Sequence, residues 1–310
     1  MLFLSLLWLA GCAPTFSTPT TPTVPPATAS PSETWPLTVT DDLDRRITIE
    51  ARPERIVSLL PSNTEILFAV GAGPQVVGVT SYCNYPPEAA DRPQIGGITN
   101  QAISIETIVS LEPDLVLASG SQNEIIPILA ETGLTVIALK PTTFEDIQAN
   151  IAFVGQVTGH ADQANGIVAD MRRRAEAIQT KVATVAKNER PTVFYEVWDE
   201  PLMTAGPRTY IGQMIELAGG RNIFTDVDQD WPQVSAELIV SRNPAVILGP
   251  ASHAEALAVE QIMARPGWSS IAAVQNIRIY LLDSDMVSRP GPRFINILEE
   301  IARDLYPDLF

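Results

Sequence analysis

From Leu37 onward, apolar and polar positions fall into short runs that switch period along the chain. Leu37–Val39 and Ile47–Ile49 alternate around Asp41-Asp42, which predicts a hairpin. Ile56-Val57-Ser58-Leu59 reads as a buried strand. It runs into Pro61-Ser62-Asn63-Thr64-Glu65, a helix start with Ser or Asn as the expected cap. Ile66 to Val70 continue that helix and Gly71 stops it. Val76–Val79, Leu115–Ala118 and Val136–Leu139 predict three more strands, with a helix over Glu124–Glu131 before the last. Strand alternating with helix predicts a parallel sheet covered on both faces.

Residues 143 to 188 break this rhythm. Apolar residues recur at helical spacing at Ile147, Ile151, Val154 and Val157, and again at Ile167, Met171, Ala175, Ile178 and Val182. Gly155 and Gly159 lie between the two patterns. The expectation is a helix closing a first lobe, then one long helix ended by Pro191. Alternation then resumes: strand Val193–Val197, helix Ile211–Ala218, helix Glu255–Ala264, strand Ile277–Leu282 and helix Phe294–Leu305. The predicted organisation is an α/β lobe over 37–158, a linker helix over 159–190 and a second α/β lobe over 191–310. The sheets should be mostly parallel, with the ligand cleft between the lobes.

One stretch is written twice. SIETIVSLEPDLVLA (104–118) and SAELIVSRNPAVILG (235–249) align without gaps, sharing Ser104/Ser235, Glu106/Glu237, Ile108/Ile239, Pro113/Pro244 and Leu117/Leu248. Each copy reads as a short helix, a proline break and a buried strand. Copies so far apart are not adjacent units of a solenoid; they are equivalent pieces of two similar lobes. Such a chain places its ligand between the lobes. Ile105, Ile108 and Val109 define the expected buried face, which leaves Glu106 pointing away from it.

Composition narrows the function. At 310 residues the chain can hold two cores. A net charge of -16 argues against a nucleic-acid partner. Arg172-Arg173-Arg174 sits in the linker pattern and reads as a solvated helix face. Neither His160 nor His253 has a second ligand at metal spacing, and no hydrolase elbow or nucleotide loop is present. No catalytic residue, metal or cofactor is therefore assigned. Cys83 is the only cysteine besides Cys12 and reads as a small buried residue. The N-terminal run MLFLSLLWLAG is too short to span a bilayer, which needs roughly 20 residues. Residues 13–36, rich in Pro and Thr, read as a semi-rigid tether.

Several residues at predicted strand ends are unusual for a plain core. They are Tyr82, Asn84 and Tyr85 after one strand, Trp198 after another, Trp231-Pro232 before the second repeat, and Asp285 with Arg289 after the last strand. Open parallel sheets bind ligands at strand C-termini, and aromatics with a few polar groups suit a flat organic ligand.

These segments carry a resemblance. RIVSLLPSNTEILFAVGAG, VVGVTSYCNYP, the first repeat, the crossing helix, VFYEVWDEPLMTAG, IELAGGRNIF and WPQVSAELIV are similar to the cobalamin (vitamin B12)-binding proteins of ABC importers, solute-binding proteins with a rigid linker helix. The resemblance covers about residue 53 to 305. It implies that Ser62, Asn63 and Tyr82 or Tyr85 line the first lobe's side of the cleft, and that Trp231 and Pro232 press on a corrin from the second. It places Asp285 and Arg289 near the ligand. Asn100 stands where the cobalamin proteins carry a cleft tryptophan, and Trp198 is the candidate to compensate. Glu106 and Glu237 match surface glutamates that dock on permease arginines, although an acid in a helix's first turn also stabilises the dipole. Leu9-Ala10-Gly11-Cys12 resembles a lipobox, without the usual basic residue before the apolar run, which makes 1–12 a lipoprotein signal and Cys12 the lipidated residue.

Taken together, the expectation is a monomeric extracytoplasmic lipoprotein, on the outer face of the cytoplasmic membrane or in the periplasm. It would carry a corrinoid as transported ligand to a permease. The alternatives are an iron-siderophore or haem carrier, for which Tyr82 and Tyr85 offer an axial phenol, and an enzyme of metal-cluster or tetrapyrrole chemistry on the same fold.

Overall fold

The structure, a computed structural model, describes residues 34–252 and 257–310. Cys12, the signal, nearly all of the tether and His253 lie outside the described residues. Among the described residues no helix is long and apolar enough to cross a membrane.

In chain order the elements are β1 (Leu37–Thr40), β2 (Arg46–Ile49), β3 (Ile56–Ser58), α1 (Pro61–Ala69), β4 (Val76–Val79), α2 (Ile105–Ser110), β5 (Leu115–Ser119), α3 (Ile125–Glu131), β6 (Val136–Leu139), α4 (Phe144–Thr158) and α5 (Ala161–Val182). Beyond α5 come β7 (Thr192–Asp199), β8 (Leu202–Thr204), α6 (Tyr210–Leu217), β9 (Arg221–Asn222), α7 (Ala236–Arg242), β10 (Val246–Pro250), α8 (Val259–Met263), α9 (Ala272–Gln275), β11 (Ile279–Leu282), α10 (Ser284–Ser288) and α11 (Phe294–Leu305). The expected hairpin is β1 paired with β2. The first lobe's sheet has the order β4-β3-β5-β6, all parallel. The second lobe's sheet has the order β11-β10-β7-β8, with β9 on β7. There β8 is antiparallel to β7, a pairing the alternation did not predict.

Strands β5 and β10 are apolar because helices cover both faces of each sheet. Leu115, Val116, Leu117 and Ala118 of β5 are fully buried, as are Val246, Ile247 and Leu248 of β10. The two repeats adopt the same local structure. Ser104 and Ser235 cap α2 and α7, each accepting a hydrogen bond at 3.2 Å from the backbone N–H three residues on. Ile108 and Ile239 are both fully buried. Glu112 (φ 46°) and Asn243 (φ 45°) hold the same left-handed turn just before the shared proline. Val109 departs from the expected face, since it is 42% exposed. With only six residues, α2 presents a single full turn to the sheet, and Ile108 fills it. The start of α1 also differs from expectation. Leu60 is its N-cap without a side-chain bond, and Pro61 occupies the first turn. Asn63 is instead buried and donates to the Leu117 and Ala118 carbonyls, pinning α1 to β5.

The lobes share their largest core. One hydrophobic cluster runs from Ile66, Val154 and Val157 through Met171, Ala175 and Ile178 of α5 to Met214, Leu298 and Ile301. Two smaller clusters fill the outer layers, one per lobe. α4 and α5 meet at a glycine. A Cβ built on Gly155 would come within 2.2 Å of the Ala164 Cβ, and Gly159 (φ 77°) makes the turn between the helices. Arg174 ties α5 to α11 through Glu299 at 2.7 Å and Asn296 at 2.7 Å.

A second tie crosses directly between the lobes. Glu65 of α1 is 3% exposed. Its carboxylate accepts from Arg293 at 2.8 and 2.6 Å and from Arg289 at 3.2 Å. Arg289 also donates to Asn84 at 2.6 Å and to the Tyr82 carbonyl at 3.3 Å, and it pairs with Asp285 at 2.7 Å. Asn84 donates to Asp285 at 3.0 Å, closing the ring. Burial works against the Arg293 charge, but the Glu65 hydrogen bonds and charge outweigh it, so its pKa lies above the ordinary value.

Two stability predictions follow from these contacts. Gly155→Leu should lower the unfolding free energy by about 2 kcal/mol or more through overpacking against α5. Gly166→Ala, at an exposed α5 site with nothing near its Cβ position, should raise it by about 0.5–1 kcal/mol. Urea denaturation of both variants tests the pair, and equal shifts would show that the helix crossing does not depend on Gly155. Glu65→Ala strands two inter-lobe guanidinium groups and should cost about 3–5 kcal/mol. Arg173→Ala, which removes an exposed pair with Asp170, should cost under ~1 kcal/mol. Matching losses in the same assay would reduce the inter-lobe cluster to an ordinary surface pair.

Candidate functional site

Loops at the carboxyl ends of both parallel sheets face one another across a cleft of about 520 Å³. The first lobe contributes Leu60, Ser62 and Asn63 after β3, Ser119–Ser121 after β5, and Lys140–Thr142 after β6. The second lobe contributes Thr209 and Tyr210 at the start of α6, Asp230 and Trp231, and Ser288 and Pro290 after α10. Strand direction causes this convergence. Every βα loop of a parallel sheet emerges at the same edge, and the two edges are turned toward one cleft.

The cleft has an aromatic face with a solid backing. The Trp231 ring, 40% exposed, stands edge-on to Tyr210 at 5.8 Å. Tyr210 stands edge-on to Phe294 at 5.3 Å, and Phe294 packs on Phe144 of the first lobe at 6.4 Å. The stack therefore reaches from the cleft into the shared core. Burial pushes the Tyr210 phenol up to about 12, so it stays protonated at neutral pH and can donate a hydrogen bond. Around this face the lining is rich in hydroxyls: Ser62, Ser119, Ser121, Thr142, Thr209 and Ser288. Its charged residues are Lys140 and Asp230, and Asp230 lies 3.4 Å from Arg208. Among the described residues no three His, Cys, Asp or Glu side chains gather as a metal site.

Of the residues singled out in the sequence, Ser62, Asn63 and Trp231 line this cleft. The others lie elsewhere. Arg289 is buried and committed to Glu65, Asn84 and Asp285, so the pair expected near the ligand belongs to the inter-lobe tie. Asp285 sits in α10 rather than in a loop, with Asp283 as the helix cap. Tyr85 lines a separate cavity of about 600 Å³ with Glu65, Phe68, Arg92 and Arg293, and Arg293 lies over its ring at 3.9 Å. Tyr82 is 56% exposed and is not among the cleft's lining residues. Trp198 ends β7 opposite Met203 and donates to the Glu200 carbonyl. Pro232 is buried, and its carbonyl accepts from Thr204. Asn100 lies outside the lining, with its Oδ1 buried and unpartnered. Cys83 is buried beside the Thr64 and Thr80 hydroxyls, each 3.1 Å from its sulfur. His160 contacts Arg52 and Gln75 at the start of α5, away from the cleft.

Ser121, Lys140, Thr142 and Tyr210 were not foreseen. The signal was present, because the first three follow directly on strands β5 and β6. The strand-end rule was applied to aromatic clusters, and a lysine or serine after a strand reads as ordinary solvated loop.

A profile of the periplasmic binding protein family matches residues 56–286. An uncharacterized ABC transporter substrate-binding lipoprotein of Bacillus subtilis is 36% identical, over 90% of this chain and 88% of its own length. A cobalamin-binding protein of Halobacterium salinarum is 32% identical, over 86% of this chain and 73% of its own. Among solved structures, a possible iron-binding periplasmic solute-binding protein of Staphylococcus epidermidis is 32% identical, with a TM-score of 0.73 over 83% of this chain and all of its own. The periplasmic vitamin B12-binding protein of Vibrio cholerae is 29% identical, with a TM-score of 0.69 over 83% of this chain and 98% of its own. A periplasmic haem-binding protein of a Roseiflexus species, in apo form, is 28% identical, with a TM-score of 0.72 over 82% of this chain and 98% of its own. Two lobes of parallel sheet on one linker helix, an open cleft at their strand ends and these likenesses agree: the chain belongs to the periplasmic binding protein family, as the substrate-binding protein of an ABC importer.

Proposed function

We propose that the cleft carries a corrinoid, vitamin B12 or a close analogue, and that the protein hands it to an ABC permease from a lipid anchor at Cys12. The observation that carries this reading is the Trp231–Tyr210 face ringed by hydroxyls and the Asn63 amide. A corrin is a broad, stiff macrocycle with an apolar face and a rim of amide side chains. Aromatic surface serves the face, and serine and threonine hydroxyls serve the amides. The cobalamin-binding relative and the vitamin B12-binding structure support it. The haem-binding and possible iron-binding structures keep a haem or siderophore carrier as the second reading. Haem capture draws on an axial Tyr or His. Tyr210 is the tyrosine lining the cleft, and its raised pKa disfavours the phenolate an iron would want.

Binding would be non-covalent, with little closure, because α5, the shared core and the Glu65 cluster hold the lobes. The domain from residue 37 should bind cyanocobalamin one to one, at micromolar affinity or tighter, about -8 kcal/mol or beyond. Trp231→Ala should weaken that binding by about 1.5 kcal/mol or more with an unchanged melting temperature. Calorimetry with cyanocobalamin, haemin and ferric siderophores decides the ligand; saturation by haemin or a siderophore with no heat from cobalamin would transfer the assignment.

The permease contacts we propose are Glu106 and Glu237. Both are exposed, each two residues after its capping serine, one in each repeat. Glu237 bonds its own backbone N–H and Ser235, which lowers its pKa and keeps it charged. The double variant Glu106→Ala/Glu237→Ala should leave ligand affinity unchanged and abolish most uptake in cells carrying the permease, since close interfacial charge pairs couple by roughly 1.5–7 kcal/mol. Full uptake by that variant would reduce both carboxylates to helix-dipole partners.

A further inference from the structure

We propose that Lys140 is the anchor for an oxyanion on the ligand, so that the transported molecule carries a phosphodiester or carboxylate as well as a flat ring. This rests on the cleft being the ligand site. Lys140 is the cation among the residues lining the cleft. In a chain of net charge -16, acidic partners are plentiful. Yet among the described residues no carboxylate lies within ion-pair distance of its ammonium. The acid that does contact residue 140 is Asp42, whose Oδ2 accepts from the Lys140 backbone N–H at 2.6 Å and from the Asn150 amide at 3.0 Å rather than from the ammonium. The other charged residue in the lining, Asp230, has its own cation in Arg208.

The lysine is also seated. Its stem runs across Gly120, where a Cβ would fall 2.8 to 3.0 Å from the Lys140 Cβ, Cγ and Cδ. The Gly120 N–H donates to the Leu139 carbonyl at 2.9 Å, holding the two strand-end loops together. Pro141 fixes the backbone on the other side. The Ser119 and Ser121 hydroxyls, 2.9 Å apart, stand in the same loop and line the same cleft. An exposed ammonium on a backed stem, in a cleft also lined by serine hydroxyls and with no carboxylate in ion-pair distance among the described residues, suits an anionic oxygen. Cobalamin offers one in the phosphodiester of its nucleotide loop, and haem offers propionates. Cobinamide, which has the corrin ring but no nucleotide, offers none.

The test is titration of wild type, Lys140→Gln and Lys140→Arg with cyanocobalamin, dicyanocobinamide and haemin, with melting curves as a check on folding. Lys140→Gln should bind cyanocobalamin about tenfold more weakly, near 1.4 kcal/mol, and cobinamide within twofold of wild type. Lys140→Arg should keep most of the affinity, and the Gln deficit should shrink as salt is raised. If wild type takes haemin and refuses cobalamin, and Lys140→Gln weakens haemin, the corrinoid reading falls and the oxyanion anchor stands. If Lys140→Gln binds each wild-type ligand as wild type does, or loses cobinamide and cobalamin alike, the anchor is refuted.

Discussion

A buried carboxylate with no partner would be among the least stable features a protein could hold, and Glu65 is buried almost completely. Several kcal/mol of desolvation must be offset there, and only well-placed guanidinium groups do it. Both come from the far end of the chain, 224 and 228 residues away, in the segment between α10 and α11. The buried charge on the first helix of one lobe is thus balanced by the last segment of the other. Asn84 and the Tyr82 carbonyl extend the contact to the loop after β4. The same docking brings Phe294 against Phe144 and α11 against α5. Two lobes with separate sheets are therefore joined by a buried ion cluster and a shared core as well as by the linker helix.

The same packing reaches the cleft. A ligand that meets an ordered surface spends little of its binding free energy on ordering the protein. Trp231 would be a mobile side chain if it stood alone on its loop. Backed by Tyr210 and Phe294, it has a fixed inclination to the opening. Asn63 is held by two β5 carbonyls, so the first turn of α1 is fixed to the sheet just where it borders the cleft.

The frame of the molecule was legible because it rests on local periodicity. Strand runs such as Leu115–Ala118 and the 3.6-residue spacing from Met171 to Val182 depend only on neighbours, and both elements form there, although α5 ends at Val182 with the apolar spacing and not at Pro191 as expected. The site was legible where a residue is conspicuous in itself, as Trp231 is. It was not legible for Arg289, whose partners lie more than 200 residues away; the choice between a ligand contact and a buried ion pair is made by tertiary packing alone. The resemblance placed Ser62 and Asn63 on the cleft, where both stand, but the bonds that hold Asn63 were not visible. Asn is a good cap when exposed, but here Pro61 already satisfies the first turn and the amide is more valuable to the buried β5 carbonyls. Lys140 carries no signal as a letter in the sequence; only the lack of a counter-charge among the described residues and the glycine beneath its stem distinguish it.

The repeat shows how far local rules extend. In both copies a serine caps the helix, an isoleucine fills the groove beneath it, and the residue before the proline turns left-handed. Asn243 adopts that turn readily and uses its side chain to accept from the Ala272 N–H at 2.7 Å. Glu112 is a poorer left-handed residue, and the strained turn persists there because the loop is held from outside: Arg55 donates to the carbonyls of Leu111 and Glu112. Two different side chains thus reach one backbone shape by different means. What is kept in both lobes is the placement of the helix start relative to the buried strand, and with it the position of one exposed glutamate. A helix of six or seven residues buries little and would be free to drift if packing alone governed it. The cap at one end and the left-handed turn at the other fix it, so that the two carboxylates stand at equivalent points of the two repeats.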